Sequence, residues 1–273
     1  MNWNLRRRVT LQGGEIAYDV LGYGPPVILV HGTPSRSYIW REVAMTLANR
    51  FTVYVFDLLG FGQSERREGL DVSIKAQARL LAELVDVWGL DAPYVAGHDI
   101  GAGIALRAHL IEGVPFGCMA LIDGVVLRPW ITPTTRHVIA HLDVYETMPA
   151  RVFEAIVASH LRTATHRPMD EAAFATYLDQ WKGAFGQKIY LHKDSQLDED
   201  DTAQFEPLLP SIEVPVRIVW GEHDAWLDPS FAERVQQTIP DSGLVLLPET
   251  GHFAMEDSPR EVAATLFQFF SDC

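Results

Sequence analysis

The chain has 273 residues, enough for one large domain or for a core that carries an insertion. Hydrophobic residues make up 48% and charged residues 21%, a balance able to fill a sizeable core. Thirty-six acids against 22 lysines and arginines give a net charge of −14, which argues against a nucleic acid or an anionic membrane as partner, since either needs a basic patch.

The opening stretch "MNWNLRRRVTLQ" has basic residues but no apolar segment after them, so it does not read as a secretory signal. No apolar run reaches the ~18–20 residues that span a bilayer. The expectation is a cytoplasmic protein. Short β-type runs then follow: "EIAYDV", "PPVILVHG", "TVYVFDLLG", "PYVAGHD" and "GCMALIDGVVL". Residues 38–49, 73–88 and 101–112 between them read as helices, with Leu80, Leu81, Leu84 and Val85 on one face of the second. Strands that alternate with helices in this way predict an α/β fold, a mostly parallel sheet covered on both faces.

From about residue 128 the alternation stops. Prolines at 129, 133, 149 and 168 cut a helical stretch into short pieces, and acidic "LDEDD" at 197–201 reads as a solvated exit from it. "VPVRIVWGEHD", "GLVLLPE" and amphipathic "REVAATLFQFF" restore the first rhythm. The expected division is a core of residues 1–127 and 209–273 with a helical cap, 128–208, inserted. Cys118 falls in a strand-like run, where a buried free thiol is the default, and with Cys273 it makes no disulfide framework.

Open α/β sheets hold ligands at the carboxyl ends of their strands. His31, Asp57, Asp99, Asp123 and Asp224 sit at such ends, and His252 follows the last strand. In "VAGHDIGAG" two glycines bracket Asp99 at a strand-to-helix turn, the place where G-x-S-x-G carries a nucleophilic serine. The order Asp99, Asp224, His252 is that of nucleophile, acid and base in that architecture.

"HGTPSRSYIWR", "DLLGFGQSE", "GHDIGA", "GEHDAWLDP" and "GHFAMEDSP", in this order, resemble the α/β-hydrolase superfamily, and most closely its aspartate-nucleophile branch of epoxide hydrolases and dehalogenases. The likeness covers roughly residues 9–127 and 209–271. It implies that Asp99 attacks a saturated carbon and becomes esterified, and that His252, oriented by Asp224, activates the water that hydrolyses the ester. A carboxylate suits the first step because it is already ionised at neutral pH. The N–H groups of Thr33 and Ile100 are the expected oxyanion donors. Asp123 is the alternative acid, since some dehalogenases take that residue from the strand after the turn. No cofactor and no metal is expected.

The leaving group decides the substrate. An epoxide leaves an alkoxide, which calls for cap tyrosines; Tyr145 and Tyr190 fall at about the spacings the resemblance implies, with Tyr177 in reserve. A halide calls for N–H donors, yet Ile100 and Thr33 stand where the tryptophan and asparagine of haloalkane dehalogenases would be, and no arginine follows Asp99. Trp130 or Trp181 remains to stack on substrate or to bind halide. The leading expectation is hydrolysis of a small apolar organic epoxide, with dehalogenation as the alternative; ester or lactone hydrolysis and a ligand receptor on the same fold rank lower. A homodimer is left open.

Other features have plain readings. Asp57, Gly60 and Gly62 build a tight turn, and His31 and His98 serve as packing residues. "GAGIAL" mimics a dinucleotide fingerprint with Asp123 downstream, but Leu106 replaces its third glycine. His137 and His141 share a helix face without a third metal ligand.

Overall fold

The computed structural model describes residues 3–273. Eight strands form one sheet: β1 (Arg7–Thr10), β2 (Glu15–Leu21), β3 (Pro26–Val30), β4 (Thr52–Phe56), β5 (Tyr94–His98), β6 (Met119–Ile122), β7 (Val216–Gly221) and β8 (Gly243–Leu247), in the order β1-β2-β4-β3-β5-β6-β7-β8. The β1–β2 and β2–β4 pairs are antiparallel; the rest are parallel. β3, β5 and β6 are buried almost throughout, as strands covered on both faces must be.

The covering helices are α1 (Arg41–Leu47), α2 (Ile74–Trp88) and α3 (Ile100–Leu110), with short α4 (Pro133–Ala140), α5 (Leu142–Thr147), α6 (Ala150–Leu161), α7 (Glu171–Asp179), α8 (Gly183–Asp194) and α9 (Asp200–Ala203) between β6 and β7. The chain closes with α10 (Ser230–Thr238), α11 (Ala254–Asp257) and α12 (Pro259–Asp272). In α2 the expected face is the buried one: Leu80, Leu81, Leu84 and Val85 pack inward, Ser73 caps the start, and Gly89 ends the helix in the left-handed conformation. Pro133 opens α4 and Pro149 caps α6, so prolines do set the boundaries of the helical segment.

Four expectations need correction. β1 was not foreseen, because its arginine-rich residues bury no face and leave no alternation to read. It is an edge strand of the kind that charge protects from further pairing, and Arg6 binds Asp19 of β2 at 2.8 Å. The run at 117–127 is strand only over Met119–Ile122; its remainder leaves the sheet as a buried loop that carries Asp123 and Val125. Cys118 is not a free thiol, since it is joined by a disulfide to Cys273 beyond α12.

The acidic run at 197–201 is not simply solvated. Asp201 is buried and accepts the Lys75 N–H at the start of α2 (3.2 Å). Glu199 accepts the N–H groups of Trp130 and Ile131 at 3.0 and 3.1 Å. Asp201 thereby latches the helical segment to α2 of the sheet domain, while Glu199 ties the beginning of the segment to its end.

The segment is held over the carboxyl ends of the strands at other points too. Gln180 donates to the carbonyls of Pro34 and Ser35 (both 3.1 Å) and accepts from Gly62 N–H (2.8 Å). Tyr177 of α7 hydrogen-bonds Glu256 of α11, which also takes a two-pronged bond from Arg41 of α1 (2.5 and 2.9 Å). The space left between segment and strand ends is where the reactive residues gather.

Candidate active site

Asp99 stands between β5 and α3 with φ +53° and ψ −125°, a strained conformation for a residue with a side chain. Close packing imposes it. A Cβ at Gly97 would come within 2.4 Å of the Gly101 carbonyl, and one at Gly101 within 2.4 Å of the Val30 carbonyl. Only glycines on both sides let α3 start this near the sheet, and the sharp turn pushes the Asp99 carboxylate out over the strand ends.

Each oxygen of that carboxylate has its own partner. The Thr33 N–H donates to Oδ1 at 2.9 Å. Oδ2 lies 3.2 Å from Nε2 of His252, whose Nδ1 is 2.9 Å from Oδ2 of Asp224. The other oxygen of Asp224 accepts the N–H groups of Trp226 and Leu227 (2.8 and 2.9 Å), which fixes the carboxylate toward the imidazole. His252 is fully buried beneath the Trp226 ring, with ring centres 4.7 Å apart.

The charges are coupled. Burial pushes the Asp99 carboxyl upward, but the hydrogen bond and charge of His252, together with the Ile100 N–H, outweigh it and hold it below its ordinary value. Burial pulls His252 down, yet the charges and hydrogen bonds of Asp224 and Asp99 raise it well above an ordinary histidine. Asp123 differs: burial, reinforced by the Asp224 charge, raises it well above an ordinary carboxyl. One Asp123 oxygen takes the Gly221 N–H at 2.7 Å, and the other has no hydrogen-bond partner among the described residues. The imidazole is thus partnered by Asp224, while Asp123 lies behind it.

His98 and His31 have the packing roles expected. His98, lowered to about 3 chiefly by burial, is a neutral ring whose Nε2–H donates to the His252 carbonyl at 2.8 Å. His31 accepts the Leu58 N–H at 2.9 Å. Asp57 accepts from the N–H groups of Ser37 and Gln63, both at 2.7 Å, and so builds the turn.

A cavity of about 40 Å³ opens at Asp99. Val125, Trp130, Ile131, Leu197, Trp226 and Leu227 give it an apolar wall; Thr33, His160, Tyr190, Lys193 and Asp194 bring polar groups. Tyr190 is there as expected, its phenol raised by burial and by the Asp194 charge and hence neutral. Tyr145 is not. It lies behind Phe153, whose ring stands between the two tyrosines at centre distances of 6.3 and 5.5 Å.

Trp181 is also displaced from the expected role. It lies one layer behind the cavity, edge-on to Tyr190, and donates its indole N–H to the Pro34 carbonyl at 2.9 Å. Tyr177 is engaged with Glu256. Trp130 does face the cavity, but its N–H is bound to Thr202 at 3.0 Å.

Sequence reasoning missed Lys193, His160 and Trp226. Trp226 stacks on His160 with 4.2 Å between ring centres, and burial holds that histidine at about 4, a neutral ring. Lys193 follows Tyr190 by three positions, one helical turn, which was the signal that both share a face.

A strained turn that presents a residue to an imidazole and a second acid, at the strand ends of this sheet, defines an α/β hydrolase. Comparison with known proteins agrees: residues 27–265 match the alpha/beta hydrolase family, and the chain belongs to it. It is 30% identical to haloalkane dehalogenase 2 of Mycobacterium tuberculosis over 94% of this chain and 92% of that one. It is 26% identical to 2-hydroxy-6-oxo-6-(2'-aminophenyl)hexa-2,4-dienoic acid hydrolase of Metapseudomonas resinovorans, over 98% and 91%. Among solved structures, an alpha/beta hydrolase fold protein from Burkholderia ambifaria superposes with a TM-score of 0.94 at 33% identity, covering 97% of this chain and 98% of that one. Among the described residues no helix is long and apolar enough to cross a membrane.

Proposed function

We propose that this hydrolase works through an alkyl ester on Asp99 and acts on small, largely apolar epoxides, giving diols, with the helical segment 128–208 serving as its cap. The observation that carries the reading is the division of the Asp99 carboxylate. Oδ1 is held by the Thr33 N–H at 2.9 Å while Oδ2 is turned toward His252 and the cavity. Oδ2 attacks the epoxide carbon; the carbon–oxygen bond of the ring breaks and its electron pair goes to the oxygen. Oδ1 becomes the ester carbonyl oxygen, held by the Thr33 N–H for the second step, with the Ile100 N–H as the second expected donor.

Esterification also changes His252. The Asp99 charge and its hydrogen bond are two of the influences that raise the imidazole. Loss of both lets the ring release its proton and act as base on water, while Asp224 keeps it in the required tautomer. Water then attacks the ester carbonyl carbon, and the diol leaves as Asp99 is restored.

Dehalogenation through the same ester is the second reading, favoured by the relative named haloalkane dehalogenase 2. Against it, both cavity-wall indole N–H groups are already bound, Trp130 to Thr202 and Trp226 to Thr163 at 2.9 Å. One experiment tests both. His252→Gln protein is incubated with panels of epoxides and haloalkanes and weighed intact. An adduct on Asp99 of the whole epoxide mass supports the first reading, and one lacking the halogen supports the second. No adduct from any compound that the unmodified protein hydrolyses overturns the ester scheme.

A further inference from the structure

Lys193 is buried against the same cavity as Asp99, and nothing in the ester chemistry above uses it. A lysine taken out of water is costly unless paired, and here it has a neighbour to pair with. Its ammonium donates to Asp194 at 2.5 Å and to the Thr33 hydroxyl at 2.9 Å, leaving the third N–H without an acceptor among the described residues. The nitrogen lies 4.0 Å from the centre of the Tyr190 ring. Thr33 joins the two halves of the site: its hydroxyl accepts from Lys193 while its backbone N–H holds Asp99 Oδ1.

We infer that Lys193 is the acid that protonates the leaving oxygen when Asp99 opens an epoxide, filling the second donor position that Tyr145, behind Phe153, does not reach. The inference rests on the ester-forming reading. A bond forms between Asp99 Oδ2 and the epoxide carbon, the ring carbon–oxygen bond breaks, and a proton passes from the ammonium to the alkoxide oxygen. Ester hydrolysis regenerates the Asp99 carboxylate and releases one proton, which restores the ammonium, so the cycle consumes only epoxide and water. An ammonium suits the task because it carries the positive charge that a developing alkoxide needs and is a much stronger acid than an alcohol. Tyr190, a neutral phenol on the same helix face, supplies the other hydrogen bond.

The test measures single-turnover alkylation of Asp99 by an epoxide in the His252→Gln protein, where the ester accumulates. Lys193→Met in that background is expected to slow alkylation ~10²–10⁴-fold, the usual loss for a positioned acid. Lys193→Arg keeps the charge but not a readily transferred proton, and is expected to restore only a small part of the rate. Alkylation by the parent is expected to be slower in D₂O. A parental rate in Lys193→Met, full restoration by Arg, or no solvent isotope effect in the parent each overturns the inference. Should Lys193→Met not fold, the Arg variant and the isotope effect still decide. If the parent itself forms no adduct, it is the ester reading that fails, a result distinct from all of these.

Discussion

Asp224 Oδ2 lies 2.9 Å from His252 Nδ1, whereas the Asp123 carboxyl, one strand away, is hydrogen-bonded to the Gly221 N–H. The two acids are therefore unequal. Asp224→Asn would present an amide where the imidazole needs an acceptor and favour the wrong tautomer. A loss on the order of 10⁴-fold in turnover is expected, with the ester accumulating. Asp123 makes no hydrogen bond to the imidazole and its backbone contact to Gly221 can be kept by an amide oxygen, so Asp123→Asn is expected to cost less than ~10-fold. Steady-state rates on one substrate with both variants check this, and equal losses would move the acid role to Asp123.

How much of this was readable in the chain follows from how each feature is encoded. Asp99, Asp224 and His252 were legible because each closes a strand or follows one, and the sheet then brings strand ends together whatever lies between. Tyr145 and Trp181 were misplaced because their position depends on how several short helices turn against each other, and spacing along the chain does not fix that. Tyr145 ended behind Phe153 and Trp181 behind Tyr190. The Cys118–Cys273 bridge spans 155 residues and leaves no local pattern. Lys193 was overlooked for an opposite reason: a lysine in a polar stretch reads as solvent-exposed, and only the fold shows that Thr33 and Asp194 enclose it.

A second prediction concerns the joint between the helical segment and the sheet domain. Glu256 is nearly fully buried and binds both Arg41 and Tyr177. Glu256→Ala leaves the Arg41 guanidinium and the Tyr177 phenol without their acceptor in a dry site. Removing one partner of a buried pair typically costs about 3–5 kcal/mol. Denaturant unfolding is expected to show a lower midpoint, and a stability within ~0.5 kcal/mol of the parent would mean that water replaces the carboxylate freely.

The two chemical steps are expected to respond differently to pH. Asp99 is held below its ordinary value, so alkylation needs a form that is already ionised. Its rate should be flat through neutrality and fall only in acid, with a midpoint below the ~4 of a free carboxylate. Ester hydrolysis needs neutral His252, which Asp224 still raises after Asp99 has been esterified. That step should therefore quicken as pH rises through the imidazole pKa of the alkyl-enzyme, which lies below that of the free enzyme. Single-turnover mass spectrometry across pH separates the phases; hydrolysis that slows with rising pH contradicts the base role.

The tyrosines give the most direct check on where ring opening is assisted. Tyr190 lines the cavity and Tyr145 does not, although the two lie on adjoining helices of one segment. Tyr190→Phe removes a hydroxyl that can reach the leaving oxygen and is expected to slow alkylation by an epoxide up to ~10²-fold, the lower end for a lost acid because Lys193 still donates. Tyr145→Phe removes a hydroxyl outside the cavity, so the same rate should stay within a factor of ~2, as for a change away from the site. Both proteins keep their aromatic rings, so packing against Phe153 survives in each and a general loosening of the segment is not the cause of any difference. If Tyr145→Phe is the slower variant, the helical segment must rearrange on binding substrate to carry Tyr145 past Phe153. If neither changes the rate, the phenols take no part, and assistance to the leaving group falls to Lys193 alone.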